Sequence, residues 1–154
     1  MIKFGKDNKI KSLKNKIVNS FMVHGKKKTG EKILLKLVKS LQKNTNKNYK
    51  NLIQLAIINS TPTFKLNEQI MKRGKRKSVK SIPSFIPNDT LRINLALKLV
   101  RNVSLKNRDN IYFYESLSKE ILDSVYFKSQ SVDKKNELQK QILLNKRYLS
   151  KFRW

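Results

Sequence analysis

Apolar residues recur at helical spacing in six separate stretches of the chain. Residues 10–23, 29–43 and 49–60 form the first three, and apolar side chains three or four positions apart predict a helix with one buried face. The fourth can be capped by Asn88, Asp89 or Thr90 and the fifth by Asp109 or Asn110. The sixth begins near Val132 and is expected to continue to the chain end. The positions predicted to face the core are Ile10, Leu13, Ile17, Val18, Phe21 and Met22 in the first helix, Ile33, Leu34, Leu37, Val38 and Leu41 in the second, Leu52, Ile53, Ala56 and Ile57 in the third, Leu91, Leu95, Ala96, Leu99, Val100 and Val103 in the fourth, Tyr114, Leu117, Ile121, Leu122 and Val125 in the fifth, and Leu138, Ile142 and Leu149 in the sixth.

Residues 63–86 lack this spacing and are predicted to form a two-stranded β-hairpin arm with Gly74 at its tip. All three prolines of the chain, Pro62, Pro83 and Pro87, border the arm, where a missing backbone donor ends a helix or limits a strand. The fold class is therefore mainly α: a bundle of about six helices with a two-stranded β-hairpin arm between helices 3 and 4. One domain is expected over 11–154, preceded by a basic tail at 1–10. The apolar arm residues expected to rest on the helical body are Phe64, Leu66, Ile70, Val79, Ile82 and Phe85.

The charge balance indicates a protein that binds a polyanion. Lys and Arg number 36 against 10 acidic residues, a formal net charge of +26. A free compact chain with this excess repels itself strongly, and nucleic acid is the commonest partner that relieves such repulsion. The arm segment MKRGKRKSVK carries six cations and no acid. We therefore expect the arm to contact RNA or DNA; the alternative is a packing arm whose lysines only keep a lone ribbon soluble.

Other function classes find little support in the sequence. There is no cysteine, which excludes a disulfide framework and a thiolate zinc site. No apolar run approaches the roughly 20 residues of a membrane-spanning helix, and residues 1–16 are too polar for a secretory signal. The single histidine, His24, lies in a turn and the acidic residues are scattered, so we expect neither an enzyme nor a cofactor.

The fifth helix is the part of the surface least suited to phosphate. Its predicted outer face carries Glu115, Lys119, Glu120 and Asp123. We expect Glu115 and Asp123 to form ion pairs with Lys119, since positions four apart are neighbours on a helix. This face is the one that a protein neighbour could use.

Four aromatic residues could take part in RNA recognition, because an exposed ring can stack on an unpaired base. Aromatic residues at helical spacing usually belong to a core, however, and we prefer that interpretation. The four are Tyr49, Tyr112, Tyr126 and Trp154.

Five segments, in order, resemble one family: small-subunit ribosomal protein seven, in its bacterial and organellar form. VNSFMVHGKKKTGEKIL is similar to the family's first segment, in which a helix ends at a Gly-Lys-Lys turn. AIINSTPTFKL resembles its Ala-x-x-Asn-x-x-Pro stretch, with Ala56, Asn59 and Pro62 in register. The other three resemble its hairpin tip with return strand, its Arg-x-x-Leu-Ala-x-Arg-Trp-Leu segment and its carboxyl helix, and they are KRGKRKSVKSIPSFIPN, RINLALKLVRN and SVDKKNELQKQILLNKRYLSKFRW.

The resemblance implies a structural constituent of the small ribosomal subunit, with no chemical step. It implies binding to the 3′ major (head) domain of small-subunit rRNA, nucleation of head assembly, and a place near the mRNA path and the exit-site tRNA. Ribosomal proteins nine and eleven are the implied neighbours, and no membrane is involved. The residues expected to bind RNA, from the resemblance and from charge, are Lys26, Lys27, Lys72, Arg73, Lys75, Arg76, Arg92, Lys98, Arg101, Lys134, Lys135, Arg147 and Tyr148.

The composition, rich in Lys, Asn and Ile, favours an A+T-rich genome and a product made inside an organelle. A mitochondrial ribosome is the expected location, with a plastid or an A+T-rich bacterial cytoplasm as the alternative. The rival function is a DNA-architectural protein that bends a duplex with its basic arm. Such proteins usually dimerise through an apolar surface, whereas here the apolar positions are used by one core. An RNA-processing role comes third, because the residues to perform it are missing.

Overall fold

The computed structural model describes residues 8–45, 48–73, 76–107 and 111–145, with side chains over 13–45, 48–70, 79–107 and 111–145. Within these ranges it contains six helices and one antiparallel hairpin, which lies between the third and fourth helices as predicted. The helices are α1 (Asn8–Phe21), α2 (Lys27–Asn44), α3 (Tyr49–Ser60), α4 (Asp89–Lys106), α5 (Phe113–Val125) and α6 (Gln130–Leu144), and the strands are β1 (Phe64–Arg73) and β2 (Arg76–Phe85).

The hydrophobic core lies where the first five helices meet. Helix α5 packs against α2, α3 and α4, and α1 packs against α2 and α4. Leu37, Leu41 and Leu117 are at most 1% exposed, and full burial of a leucine side chain stabilises a fold by roughly 1.5–3 kcal/mol. The core positions predicted for α2 and α3 are confirmed. Helix α2 carries one main apolar stripe, so its periodicity determines which face is buried. Helix α3 has apolar residues on other sides as well, since Leu55 and Ile58 are 46% and 41% exposed, and packing selects its buried face.

The turn between α1 and α2 brings these helices close together. It uses left-handed backbone at His24 (φ 50°) and Gly25 (φ 72°), a conformation that glycine adopts without a steric penalty. Gly30 is buried on α2 against α1, where an added Cβ would lie 3.0 Å from the Val18 carbonyl oxygen. A side chain at Gly30 would therefore push α1 away from α2.

The buried face of α4 differs from the predicted one. Ala96, Val100 and Val103 are buried as expected, but Leu91 is 49% exposed, and Ile93 and Leu97 belong to the core instead. Leu95 and Leu99 are only half-buried. Apolar residues lie on several sides of this helix, so periodicity does not determine a single face. The packing of α1, α3, α5 and α6 around it decides which positions are buried.

The hairpin has the predicted extent and a regular register. Phe64 pairs with Phe85, Ile70 with Val79 and Arg73 with Arg76. At its base the Phe64 and Phe85 rings meet edge to face, and β1 contacts α6. Further out, Ile70 and Val79 are 65% and 60% exposed, so the expectation that they rest on the body is wrong. The ribbon leaves the body before it reaches this pair.

Helix ends differ from the predicted ones at several places, although α3 has its predicted bounds. Helices α1 and α2 both begin two residues earlier than expected. Tyr112 occupies the N-cap position of α5, so the predicted caps Asp109 and Asn110, which lie outside the described residues, do not border it. Helix α6 begins after Ser129, whose hydroxyl accepts a hydrogen bond from a first-turn backbone N–H, and it ends at Leu144, with Asn145 at its C-cap. The rest of the helix expected up to the chain end lies outside the described residues.

Candidate nucleic-acid interface

A polar groove of about 380 Å³ lies between α1 and α4. Helical geometry builds it, because residues three, four, seven or eight positions apart lie on one helix face. The α1 residues stand at such spacing, and so do those of α4. The residues that line the groove are Lys16, Asn19 and Ser20 from α1 and Asn94, Lys98, Arg101 and Asn102 from α4.

The three cations of this groove have no acidic partner among the described residues. Among the described residues, the one ion pair joins Arg92 to Asp89, outside the groove and in the first turn of α4. Lys98 is exposed, and Lys16 and Arg101 are half-buried, so their charged ends remain available to a ligand. Asparagine amides between them can donate to phosphate oxygens or 2′-hydroxyls. The groove therefore has the chemistry of an RNA-backbone site.

Sequence reasoning found only half of this groove. It selected Lys98 and Arg101 but not Lys16, Asn19 or Ser20. The signal was present, because these three α1 residues stand at the i, i+3, i+4 spacing of one helix face. What the sequence could not show is that this face lies beside α4.

Lys26 and Lys27 lie in the turn that follows the groove's α1 side. Lys26 occupies the N-cap position of α2 and makes no side-chain cap hydrogen bond, and Lys27 is the first residue of the helix. Both are exposed. The positive end of the α2 dipole adds to their charge, so the turn favours an anion.

Arg92 has a structural set of contacts. Its Nε donates a 2.7 Å hydrogen bond to the Ile86 carbonyl oxygen, and its guanidinium lies 5.0 Å from the centre of the Phe85 ring. A weaker ion pair of 3.7 Å links it to Asp89. These contacts attach the return strand of the hairpin to α4. The predicted RNA contact of Arg92 stays a prediction, and any such contact would compete with these bonds.

Lys135 is also engaged inside the protein. Its ammonium donates a 2.7 Å hydrogen bond to the Asn59 carbonyl oxygen in the last turn of α3, where backbone carbonyls lack helical partners. Burial lowers the pKa of Lys135. The Asn59 amide donates in turn to the Ser124 carbonyl oxygen at 2.9 Å. Neighbouring Lys134 makes no such contact within the described residues. Lys135 thus joins α6 to α3, and its predicted RNA contact is untested.

A buried serine cluster completes the junction of α3, α5 and α6. Each of the four hydroxyls lies 2.9–3.3 Å from at least one other, and each residue is at most 1% exposed. Hydroxyls both donate and accept, so a small group of them can satisfy one another without water. The cluster consists of Ser60, Ser124, Ser129 and Ser131.

Glu120 belongs to this junction, and its predicted place on the outer face of α5 is wrong. It is 5% exposed, and its Oε1 accepts a 3.0 Å hydrogen bond from the Ser131 N–H. Burial raises the pKa of Glu120, against the lowering effect of the bonds from Ser131. The expected ion pairs of Glu115 and Asp123 with Lys119 are also absent from the described residues. The α5–α6 turn folds over Glu120, which the helical pattern of α5 alone could not show.

The remaining predicted RNA-binding side chains lie outside the described ones. The backbone of Lys72 and Arg73 ends β1, and that of Arg76 begins β2, which places all three at the outer end of the hairpin. For these the predicted contact with RNA stays a prediction. Three other predicted RNA-binding residues lie entirely outside the described part of the chain: Lys75, Arg147 and Tyr148.

Two of the four aromatic residues considered above are not core residues. Tyr112 and Tyr126 are 68% and 59% exposed, whereas Tyr49 packs against the core. Trp154 lies outside the described residues. The preference for a core role is therefore wrong for Tyr112 and Tyr126.

In the described part of the chain, histidine and carboxylate side chains form no group of three or more that could hold a metal ion. None of its helices is both long and apolar enough to cross a membrane. A second polar groove, of about 570 Å³, is lined by Lys119 together with Glu115, Glu120 and Asp123. The α1–α4 groove is lined by cations without carboxylates and is therefore the better site for a polyanion.

Comparison with known proteins decides the family. The family model described as ribosomal protein S7p/S5e matches residues 3–146. The chain belongs to this family. Its members are structural proteins of the ribosome, and the S7p/S5e match gives the chain a structural role in the small subunit.

Relatives of the S7p/S5e family come from several kinds of genome. The chain is 30% identical over 142 residues to "Small ribosomal subunit protein uS7c" of Euglena longa, covering 90% of this chain and 77% of that protein. It is 30% identical over 139 residues to "Small ribosomal subunit protein uS7m" of Reclinomonas americana, covering 90% and 83%. Identity to "Small ribosomal subunit protein uS7" of Wigglesworthia glossinidia brevipalpis is 27% over 140 residues, covering 91% and 85%.

Proposed function

We propose that this chain binds the 3′ major (head) domain of small-subunit rRNA and that the α1–α4 groove is its main contact. The observation that carries the proposal is the absence of an acidic partner for Lys16, Lys98 and Arg101 among the described residues. Cations without partners next to asparagine amides fit a backbone that combines phosphates with 2′-hydroxyls. The net charge of +26 makes a compact chain repel itself, and such a polyanion relieves that repulsion.

The mechanism is electrostatic and requires no chemistry. Each phosphate neutralised by a lysine or arginine releases condensed counterions, which drives binding. Each such contact makes the slope of log K against log[salt] more negative by about 0.7–0.9. The groove, the turn with Lys26 and Lys27, and the hairpin point cations at different RNA segments from one packed body. Holding several RNA segments together lowers the electrostatic cost of folding them, which is how the chain would nucleate assembly of the head.

The finer parts of the proposal follow from the family. The hairpin and the carboxyl-terminal helix would lie near the mRNA path and the exit-site tRNA, with ribosomal proteins nine and eleven as neighbours. A mitochondrial ribosome is the proposed location, supported by the similarity to the uS7m protein. The uS7c and bacterial relatives are equally compatible with the alternative, a plastid or an A+T-rich bacterium.

Purification of the tagged chain from its source tests this function. We expect it to sediment with small-subunit rRNA, and chemical probing of that RNA with and without the protein should show protections in the head domain. Recovery with genomic DNA and without rRNA would establish the DNA-architectural alternative instead. The same preparation shows the compartment, because the rRNA sequence identifies its genome of origin.

A further inference from the structure

A pair of tyrosines forms an exposed aromatic surface at the start of α5. The rings of Tyr112 and Tyr114 are nearly parallel, with an interplanar angle of 16° and centroids 5.6 Å apart. This is the offset stacking that aromatic pairs prefer. Tyr112 is nevertheless 68% exposed. Tyr114 therefore backs one side of the Tyr112 ring, and most of the ring surface faces solvent.

The backing ring is held from the side of α2. The ammonium of Lys36 on α2 lies 5.4 Å from the centre of the Tyr114 ring, within the range of a cation–π interaction. Tyr114 is thus held against α2. A ring stacked on it loses little further freedom when a ligand binds.

Stability of the helix does not account for Tyr112. The residue occupies the N-cap position of α5 but makes no side-chain cap hydrogen bond. Serine, threonine, aspartate or asparagine there would stabilise the helix by about 1 kcal/mol over a residue that cannot cap. Tyr112 therefore contributes neither a side-chain cap to α5 nor packing to the core.

The tyrosine pair lies beside a row of lysines on α2. These lysines are exposed and stand at i, i+4, i+7 and i+11, so they follow one helix face over about 16 Å. Lys36, which contacts Tyr114, belongs to the row. Within α2 the one acidic residue, Glu31, precedes it. The row consists of Lys32, Lys36, Lys39 and Lys43.

We propose that this face is a second RNA site, which binds a single-stranded segment with one unpaired base stacked on Tyr112 and the phosphate backbone along the α2 lysines. Cations that follow a backbone next to an aromatic stacking surface are the combination by which proteins bind single strands. The site takes single strands rather than duplexes, because both faces of a base inside a duplex are already stacked on neighbouring bases. It rests on the proposed RNA-binding function and is separate from the α1–α4 groove.

A protein neighbour is the competing occupant, since Glu115 adjoins Tyr112. Two features favour RNA. The side chain that reaches across to the tyrosine pair from α2 is a lysine, and three further exposed lysines lie on the same face of α2. A basic protein segment attracted by Glu115 would have to lie against this lysine row, whereas an RNA backbone is attracted by it.

Binding of a fluorescent oligouridylate of about ten nucleotides to the full chain tests the site. Tyr112→Ala should weaken binding by about 5- to 100-fold, the range that loss of one stacked base produces. Tyr112→Phe, which keeps the ring, should retain the affinity within about twofold. Tyr126→Ala removes an exposed tyrosine at the other end of α5 and serves as the control, for which we expect no change. With 5-iodouridine in the oligomer, a photo-crosslink should map to Tyr112.

The outcomes separate this site from the proposed function. Equal losses in the Tyr112→Phe and Tyr112→Ala variants would overturn stacking, and so would unchanged affinity in Tyr112→Ala. Binding of a head-domain rRNA fragment by a Lys98→Glu/Arg101→Glu variant is measured in parallel. If that variant loses rRNA binding while Tyr112→Ala leaves oligouridylate binding intact, the second site is wrong and the rRNA-binding function stands. A Tyr112→Ala variant that loses only a protein neighbour would assign the face to protein contact.

Discussion

Two sets of basic side chains on this protein differ in what their charges contact. Lys16, Lys98 and Arg101 line a groove between α1 and α4 and have no ion pair within the described residues. Arg92 and Lys135 each donate a 2.7 Å hydrogen bond to a backbone carbonyl oxygen. The first set is available to a polyanion, and the second set holds the hairpin and α6 in place.

The difference shows that residue type and net charge do not identify an RNA contact. A lysine whose ammonium already binds a carbonyl oxygen must give up that bond to reach a phosphate. Breaking a hydrogen bond that involves a charged group costs roughly 1.5–3 kcal/mol. A cation without an internal acceptor loses no such bond when it binds RNA, and among the described residues Lys16, Lys98 and Arg101 of the groove are of this kind.

The largest expected effect is on RNA binding by the groove. Replacement of both groove cations of α4, Lys98→Glu/Arg101→Glu, should lower affinity for a head-domain rRNA fragment by roughly 100-fold at about 0.1 M salt, because two phosphate contacts become repulsive. The slope of log K against log[salt] should fall in magnitude by about 2. Filter binding over a salt series measures both.

The matched control for this variant is Lys119→Glu/Lys140→Glu, which makes the same charge change at two exposed positions outside the groove. We expect a loss of no more than a few-fold from the change in net charge. Equal losses in both double variants would show that net charge, rather than the groove, carries binding. Circular dichroism should show unchanged helix content in both.

A smaller effect is expected at α6. Lys135→Met should lower the free energy of unfolding by about 1–2 kcal/mol, because the Asn59 carbonyl oxygen loses a charged donor. Lys134→Met, one position earlier and without that bond, should change it by less than about 0.5 kcal/mol. Urea unfolding of the two variants measures the difference. If the two variants are equally stable, the Lys135 bond does not hold α6 in place, and Lys135 does not belong to the set of cations with a structural role.

The smallest expected effect is a pH dependence at Glu120. Burial raises the pKa of this carboxyl in the folded state. Its protonated form therefore stabilises the fold at pH below the ordinary glutamate range, and this contribution is lost as pH rises through the folded pKa. Glu120→Gln keeps an acceptor for the Ser131 N–H and has no charge to bury.

The measurement is the difference in unfolding free energy between the wild type and Glu120→Gln as a function of pH. We expect the wild type to lose stability relative to the variant as pH rises from acidic to neutral. Asp123→Asn, a carboxylate change at a half-buried position on the same helix, is the control. A difference that stays constant with pH, or that changes in the opposite direction, would contradict the buried position of Glu120.

Much of the fold could be predicted because its signals are local. The main apolar stripe of α2, and the prolines around the hairpin, each determine the conformation of a short segment. Prediction failed for the face of α4, where apolar residues lie on several sides, and for Glu120, where a turn from the next helix covers a carboxylate that its own helix would expose.

The site was predicted only in part, because only some of its signals are local. Lys98 and Arg101 stand out by charge on one helix, but their partner Lys16 becomes part of the groove only when α1 lies against α4. Tyr112 was assigned to a core by helical spacing, but in the structure it is exposed and stacks on Tyr114 beside α2. In each case the deciding contact joins elements that are far apart in the chain.

The sequence by itself determined the number and kind of elements, the hairpin between α3 and α4, and a net charge that favours a polyanionic partner, because periodicity and net charge do not depend on how the chain folds. Only the tertiary structure decided which cations are free. Lys135 reaches Asn59 across 76 positions, and Ser60 meets Ser131 across 71. Contacts between such distant positions depend on how helices pack, and packing leaves no fixed spacing in the sequence.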